Sequence, residues 1–411
     1  MRSTATRLGA ILGVVLLAAC AGPATEPAAA PSAGSSSTVT GTATDTATDT
    51  ATDGQSGTAS GHDHGSATAP PEAALRKGER FVTLRMPSAY TPKAPAAPGT
   101  DDYRCFLLDP GITTRSMVTG INVLPGNPQV VHHVILFRVP PDKVAAAEER
   151  DRQQAGQGWT CFGGTGIESQ GAGLNSAPWL GAWAPGGGER VLAPDLGMPL
   201  AAGSRIVMQV HYNLLAGRSP DTSAAKLRIV KDDATRSTLQ TVLMPAPVEV
   251  PCRPGKTGPL CNREAAMADV QQRFGPLAGR TGDGLHLLCP GNKAGPTQTC
   301  TRPVTQEQTI RAVAGHMHLL GTKISVTVNQ GKADERTILD IPIWDFDDQG
   351  SRPVDPAVKV GPGDTLTVSC THDQSLRDKL PAFAGQPERY VVWGEGTTDE
   401  MCLGIVMVTR P

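Results

Sequence analysis

The chain lacks most of the features that would direct it to nucleic acid or through a bilayer. Charged residues make up 18% of its 411 positions and the formal net charge is −2, so bulk charge predicts no nucleic-acid partner. The apolar run over residues 8–17 is too short to span a bilayer. No cysteines are spaced as Cys-x-x-Cys, which argues against a structural zinc site, and no tandem repeat is evident.

The N-terminal residues predict an export signal. Arg2 and Arg7 accompany the apolar run, which ends in Leu17-Ala18-Ala19-Cys20 and is similar to a bacterial lipobox. We predict a signal peptide over residues 1–19 and lipidation of Cys20; the alternative is an ordinary cleavage site with an incidental cysteine. Residues 20–75 are mostly small or polar and predict a disordered tether. We therefore expect an exported lipoprotein anchored at the plasma membrane, on its cell-surface or periplasmic side.

Nine cysteines are present, of which Cys20 is assigned to lipid. An even number remains, and in an exported chain this predicts disulfides. Four of them crowd into residues 252–300, where the sequence does not choose among the three possible pairings. The remaining eight are Cys105, Cys161, Cys252, Cys261, Cys289, Cys300, Cys370 and Cys402.

Short strand-like runs separated by glycine and proline predict an all-β protein. The chain has 46 Gly and 35 Pro, and turns such as Pro110-Gly111 and Pro125-Gly126-Asn127 bound its apolar runs. Many short strands of this kind are typical of a sandwich or jelly roll. Helices are predicted at residues 144–154 and 263–274.

The segment Pro245-Ala246-Pro247 predicts a hinge between two domains. We place an N-terminal domain at residues 76–245 and a C-terminal domain at residues 246–411. Within the second domain, residues 252–300 are interpreted as a Cys-rich insertion stapled by disulfides.

Two of the candidate metal-binding segments lie inside predicted strands of the first domain. The pair His132-His133 occupies an apolar strand, and burying two imidazoles there costs free energy unless both are satisfied. Neighbouring strand residues point to opposite faces, so both reach one metal only with a local bulge or through different ring nitrogens. The alternative is one core and one surface histidine. His211, also in an apolar strand, is by itself better explained as a satisfied core histidine.

The other candidates lie further along the chain. His316 and His318 are two residues apart, which puts both imidazoles on one strand face and is an economical way to chelate a transition metal. Met317 then points to the core. Met401 alone gives no sign of being a ligand.

The remaining histidines give weaker signals. His62 and His64 lie in the tether, where they either are solvated or bind a metal ion loosely. His286 and His372 are interpreted as surface residues.

Taken together, these segments resemble one family. A two-His pair, a single His, His-x-His and Asp-Glu-Met-Cys occur in this order in the copper type II, ascorbate-dependent monooxygenases, of which peptidylglycine α-hydroxylating monooxygenase and dopamine β-monooxygenase are familiar members. The matching stretches are Asp101-Asp102-Tyr103-Arg104-Cys105, Val131-His132-His133, Gln209-Val210-His211-Tyr212 and Thr398-Asp399-Glu400-Met401-Cys402. The resemblance covers roughly residues 80–411.

This resemblance implies two jelly-roll-like β-sandwich domains with one copper ion in each. The first copper would store an electron, and the second would bind O2 and meet a small-molecule substrate whose C–H bond is hydroxylated. Ascorbate is the implied reductant. A soft thioether ligand at the second copper favours Cu(I), the state that must meet O2. The implied ligands are His132, His133 and His211 for the first copper, and His316, His318 and Met401 for the second.

The resemblance also implies supporting residues. Gln209 matches a family position and is expected to support the first site from outside the ligand set. Cys370 and Cys402 match a family disulfide beside Met401. The usual partner of Cys105 is missing, and we expect a rewired bridge from Cys105 to Cys161.

The sequence departs from the family where peptide substrates are held. Ala314 stands in place of an arginine, and Leu403 and Ile405 replace two polar residues. Loss of a bidentate carboxylate clamp makes a peptide substrate unexpected and favours an apolar or uncharged small molecule. The expected function is thus a copper monooxygenase, and the alternative is a non-catalytic copper-binding or copper-handling lipoprotein on the same fold.

Overall fold

A computed structural model describes residues 72–95, 99–167, 179–185 and 187–411, all within one compact unit. The predicted signal peptide, the lipidation of Cys20, nearly all of the tether and the pair His62 and His64 lie outside the described residues. The tether's last residues are described, and the backbone of Ala73 contacts Glu189 and Arg228.

Strands account for most of the regular structure. The first half contains β1 (Arg80–Arg85), β2 (Asp101–Leu108), β3 (Ser116–Leu124), β4 (Val131–Val139), β5 (Trp159–Thr160), β6 (Trp179–Trp183), β7 (Arg190–Val191), β8 (Leu196–Leu200), β9 (Arg205–Asn213) and β10 (Ala224–Lys231). The second half contains β11 (Ser237–Pro245), β12 (Glu249–Val250), β13 (Thr297–Pro303), β14 (Gln308–His316), β15 (Gly321–Val328), β16 (Arg336–Ile341), β17 (Arg352–Val360), β18 (Thr365–His372), β19 (Val391–Val392) and β20 (Leu403–Thr409).

These strands form several sheets, and the all-β prediction is confirmed. A nine-stranded sheet runs in the order β1-β10-β3-β8-β11-β20-β14-β17, with β7 also on β3. A five-stranded sheet, β5-β2-β9-β4-β6, faces it in the first half. In the second half a four-stranded sheet, β13-β18-β15-β16, does the same, and β12 pairs with β19. The two largest apolar clusters fill these halves, and Met407 of β20 packs into that of the first.

The predicted hinge is part of the nine-stranded sheet. Pro245 pairs with Leu403 across β11 and β20, and the backbone N–H of Ala246 donates to the carbonyl of Cys402 at 2.9 Å. Ala246 is fully buried. Because β11 also pairs with β8 of the first half, one sheet connects the two halves of the chain.

The Cys-rich segment contains more regular structure than the sequence predicts. The helices are α1 (Val144–Arg152), α2 (Arg263–Phe274) and α3 (Pro276–Leu288), and none in the described ranges is long and apolar enough to cross a membrane. The sequence does not indicate α3, since glycines at three of its positions lower its helix propensity. Disulfides join Cys252 to Cys261 and Cys289 to Cys300, before and after this helical pair.

Candidate metal centres

His211 lies on the central strand of the five-stranded sheet. Strand β9 runs between β2 and β4, and its register sets His211 opposite Tyr103 on one side and His133 on the other. Both faces of the strand are covered, so the His211 side chain is fully buried. The Tyr103 ring stacks on it with centroids 4.1 Å apart.

A β-bulge brings the adjacent histidine to the same place. The pairing of β4 with β9 slips by one residue between Val131 and His133, and His132 is the extra residue. The Nδ1 atom of His132 lies 3.1 Å from that of His211 and 3.2 Å from that of His133. The Nδ1 atoms of His211 and His133 are 3.3 Å apart. Of the alternatives that the sequence left open, the structure shows the bulge.

Asp101 fixes the orientation and tautomer of His211. Its Oδ1 lies 2.8 Å from Nε2 of His211, so Nε2 carries the proton and Nδ1 offers a lone pair to its two neighbours. The carboxylate also accepts hydrogen bonds from Thr397 and Thr100. Burial alone would raise the pKa of Asp101, but these hydrogen bonds outweigh it and bring the pKa to about 2.

The spacing of the three nitrogens fits a single metal ion. Metal–imidazole bonds of about 2.0–2.1 Å, as for zinc, keep two nitrogens on one ion within about 4 Å of each other. A metal also requires neutral imidazoles, and burial together with the neighbouring His211 and His132 holds the pKa of His133 well below its usual range. Within the described residues these three histidines form a group able to hold a metal ion.

The second candidate group begins where β14 ends. His316 is the last residue of the strand and His318 lies beyond it, yet their ring centroids are only 5.1 Å apart. Gln349 donates through Nε2 to the carbonyl of Phe346, which leaves its Oε1 to accept from His316 Nδ1 at 2.5 Å. His316 Nε2 therefore keeps the lone pair. Burial and His318 lower the pKa of His316 to about 3, although Gln349 opposes them.

Glu400 holds the backbone of this turn from inside the protein. Its fully buried carboxylate accepts hydrogen bonds from the backbone N–H groups of His318, at 3.0 Å, and Leu320, at 2.5 Å. His318 Nδ1 lies 3.3 Å from the carbonyl oxygen of Asp399 and is therefore its donor. The buried Nε2 of His318 has no hydrogen-bond partner among the described residues. A bound metal ion would satisfy this buried polar atom.

Met401 is fixed close to this group. The disulfide between Cys370 and Cys402 holds the next residue of the chain, and Met401 lines the same cavity as His316 and His133. The ring centroids of His133 and His316 are 5.9 Å apart, so the two candidate groups are neighbours.

One loop contacts both groups. Phe346 stacks on the His132 ring with centroids 4.4 Å apart, and Gln349, three residues later, accepts from His316. Sequence reasoning did not single out Phe346, Gln349, Asp101 or Glu400. Only Asp101 and Glu400 carry a signal, because each is a carboxylate within a stretch that matches the family.

The structure also locates the expected Cys105–Cys161 disulfide and Gln209. Cys105 is joined to Cys161, the rewired pair expected from the sequence. Gln209 donates to the carbonyl of Gly164 at 2.9 Å and lines the cavity, and its hydrogen bonds within the described ranges go to no histidine. The tether histidines lie outside the description.

The surface placement is wrong for His372 but not for His286, whose side chain is 33% exposed. His372 is 1% exposed, because β18 continues to this residue and pairs it with Gly321. Its Nε2 lies 3.4 Å from the carbonyl oxygen of Met401. His286 is half-buried and lies 2.5 Å from the Glu249 carboxylate, because α3 turns it toward that residue.

The fold and these groups define a β-sandwich protein with a histidine cluster able to hold a metal ion. Residues 285–408, which include His316, His318 and Met401, match the family described as copper type II ascorbate-dependent monooxygenase, C-terminal domain, and this part of the chain belongs to that family. The family is copper-dependent.

Comparison with whole proteins adds little. No curated protein matches the chain. Among solved structures, it is similar to the major capsid protein P2 from Bacteriophage PM2 (11% identity, 80% of this chain, 97% of that chain, TM-score 0.28). It is also similar to allantoicase (8% identity, 77% and 90% coverage, TM-score 0.17). Likenesses this weak indicate neither fold nor function.

Proposed function

We propose that the protein is a copper monooxygenase that hydroxylates a C–H bond of a small organic substrate, using O2 and a reductant of the ascorbate type. The observation that carries the proposal is the meeting of two donor groups at one cavity, with the His133 and His316 rings 5.9 Å apart. Each group would hold one copper ion: His132, His133 and His211 in the first, and His316, His318 and Met401 in the second.

The donor types suit copper in both groups. Imidazole nitrogens bind copper readily, and the thioether of Met401 favours the reduced ion. Bound copper would supply one-electron redox chemistry and a place for O2, and hydroxylation with release of water consumes two electrons and two protons from the reductant.

The rest of the site prepares these donors. Asp101 keeps the proton on Nε2 of His211, so that Nδ1 faces the other two imidazoles. Glu400 holds the turn that presents His318, and the disulfide at Cys402 holds Met401. The Phe346 ring stacks on the His132 ring.

We also propose that the protein works outside the plasma membrane, anchored through Cys20. Four disulfides join all eight cysteines of the described region, as suits an oxidising compartment.

Copper stoichiometry tests the two sites. We expect two copper ions per chain in the wild type, one in His132→Ala, and weaker Cu(I) binding in Met401→Ala. His286→Ala is the matched control, because this histidine contacts Glu249 and neither group, and it should retain both ions. One ion or none in the wild type would contradict the proposal.

Turnover separates the enzyme from a copper-handling protein. An active monooxygenase takes up O2 in the presence of ascorbate only when a substrate is added, and Met401→Ala should abolish that uptake. Free copper also oxidises ascorbate, so a blank with copper alone is needed. Two bound ions without any substrate-dependent uptake would favour the copper-binding lipoprotein.

A further inference from the structure

The cavity beside the two histidine groups is built mainly from apolar side chains. Its volume is about 330 Å³, within the range of small-molecule sites. Three tryptophans, Trp179, Trp183 and Trp393, contribute to its wall together with Leu243 and Ile405. A ligand with an apolar body would fit these walls while remaining close to His316 and Met401.

One cation on the cavity wall has no counter-ion among the described residues. Arg190, at the start of β7, is half-buried, and its only hydrogen-bond contact there is with the sulfur of Met407, at 3.3 Å. The neighbouring Glu189 forms an ion pair with Arg228 instead. Burial lowers the pKa of Arg190, but a guanidinium still stays charged in proteins. Burying that charge without a neighbouring anion costs free energy.

The same wall carries two acidic residues, Glu189 and Glu395, and the second behaves differently. Glu395 is buried, and no ion pair joins it to Arg190 or to another described residue. Burial and the nearby Asp399 raise the pKa of Glu395 to about 7, so it can relieve its own burial by taking a proton. Arg190 has no such route, and an incoming anion is what would satisfy it.

We propose that this cavity binds a small organic carboxylate with an aromatic or aliphatic body, and that Arg190 holds the carboxylate through its planar pair of N–H donors. The inference rests on the proposed function, since it names the substrate class of the same site. It differs from the uncharged substrate expected from Ala314, because the cation comes from the other half of the chain, where no sequence motif marks it.

The cavity wall selects among the small anions that a guanidinium attracts. Ascorbate is also an anion, but its several hydroxyl groups would meet the apolar surfaces of Trp183, Leu243 and Ile405. An amine of the same shape would meet the charge of Arg190 and be repelled. An apolar acid satisfies both the walls and the cation.

Binding to the copper-free protein tests this without requiring turnover. The probes are 3-phenylpropionate, its amide and the corresponding amine, with ascorbate as a competitor, and the readout is tryptophan fluorescence. The acid should bind about 10-fold or more tightly than the amide, and Arg190→Gln should remove that advantage. Arg190→Lys, which keeps the charge but loses the fork, should fall between them.

Arg138→Gln provides the matched control, because Arg138 is a half-buried arginine that donates to the carbonyl of Pro199 and does not line the cavity. It should bind the acid as the wild type does. Equal binding of acid and amide, no effect of Arg190→Gln, no binding of the acid, or Arg190-dependent binding of ascorbate alone would each overturn the inference. Copper stoichiometry is unaffected by these outcomes, so failure of this inference is distinguishable from failure of the proposed function.

Discussion

Asp101 shows how much a single buried residue does at the first histidine group. Its carboxylate accepts from His211 Nε2 and from both the backbone and the hydroxyl of Thr397 in the second half of the chain. It therefore orients an imidazole and attaches it to the opposite half of the molecule. Such outer partners affect metal binding because they set the direction and basicity of the ligand nitrogen.

We expect Asp101→Asn to weaken copper binding at the first site by about 10- to 100-fold, since an amide no longer holds the proton on His211 Nε2 as firmly. Asp102→Asn is the matched control: Asp102 is the next residue and equally buried, but it accepts from Tyr90 and Lys93 and from no histidine. Copper titration of both variants checks this. Equal losses would assign the effect to stability rather than to orientation.

The histidines themselves make the copper-free protein sensitive to acid. The pKa of His316 is about 3 in the folded chain, against 6.5 for the free side chain, so between these values the unfolded chain binds the extra proton. Stability should therefore fall as pH drops from about 6.5 toward 3, by at most about 1.4 kcal/mol per pH unit for each such histidine. Thermal unfolding of the wild type and His316→Gln across this range should give a shallower slope in the variant. Identical slopes would contradict this assignment.

At the scale of elements, the Met401 loop (residues 394–401) depends on a helix from the Cys-rich segment. Arg273 at the end of α2 makes a bidentate pair with the buried Asp399, at 2.8 and 2.6 Å. Phe274 lies against Gly396 in the same loop, where an added Cβ would come within 3.1 Å of its ring. Helix α2 lies outside the residues that match the family, so this support belongs to the insertion.

We expect Arg273→Gln to lower Cu(I) affinity at the second site by about 10-fold or more while sparing the first, because the loop that presents Met401 loses its anchor. Arg263→Gln is the control, since Arg263 lies on the same helix but pairs with Glu249 and Asp283. Competition with a Cu(I) chelator measures both. A loss confined to Arg263→Gln, or shared equally by the two, would contradict the anchor.

The sequence predicted some elements and not others for identifiable reasons. Helix α2 was predicted with the bounds it has, because a continuous run of helix formers marks it. Helix α3 and strand β13 were not predicted. Glycines interrupt the helical pattern of α3, and polar residues hide the alternating strand pattern of β13. The sequence did not decide whether both adjacent histidines face one metal. That depends on a bulge in the pairing of β4 with β9, and no local sequence pattern predicts this pairing.

At the scale of the whole molecule, the two halves share a sheet and a site. Strand β11 joins β8 to β20, Met407 packs in the core of the first half, and Tyr103 donates to the carbonyl of Glu395 at 2.7 Å. The segment expected to be a hinge between the domains lies at the end of β11, where Pro245 pairs with Leu403 of a strand from the far end of the chain.

We therefore expect the copper-free, disulfide-intact protein to unfold in a single transition. Calorimetry should give equal calorimetric and van't Hoff enthalpies, since neither half completes the shared sheet alone. Two resolved transitions would show that the halves are energetically independent.

The bulge at His132 makes the site sensitive to chain length. A relative with one residue fewer in β4 would retain both adjacent histidines in its sequence and could keep the same sheet. His132 would then point to the opposite face, and the convergence of the three Nδ1 atoms would be lost. Among divergent sequences, a conserved motif here can thus accompany a lost metal site, and a deletion in this strand is a more informative marker of lost function than most substitutions.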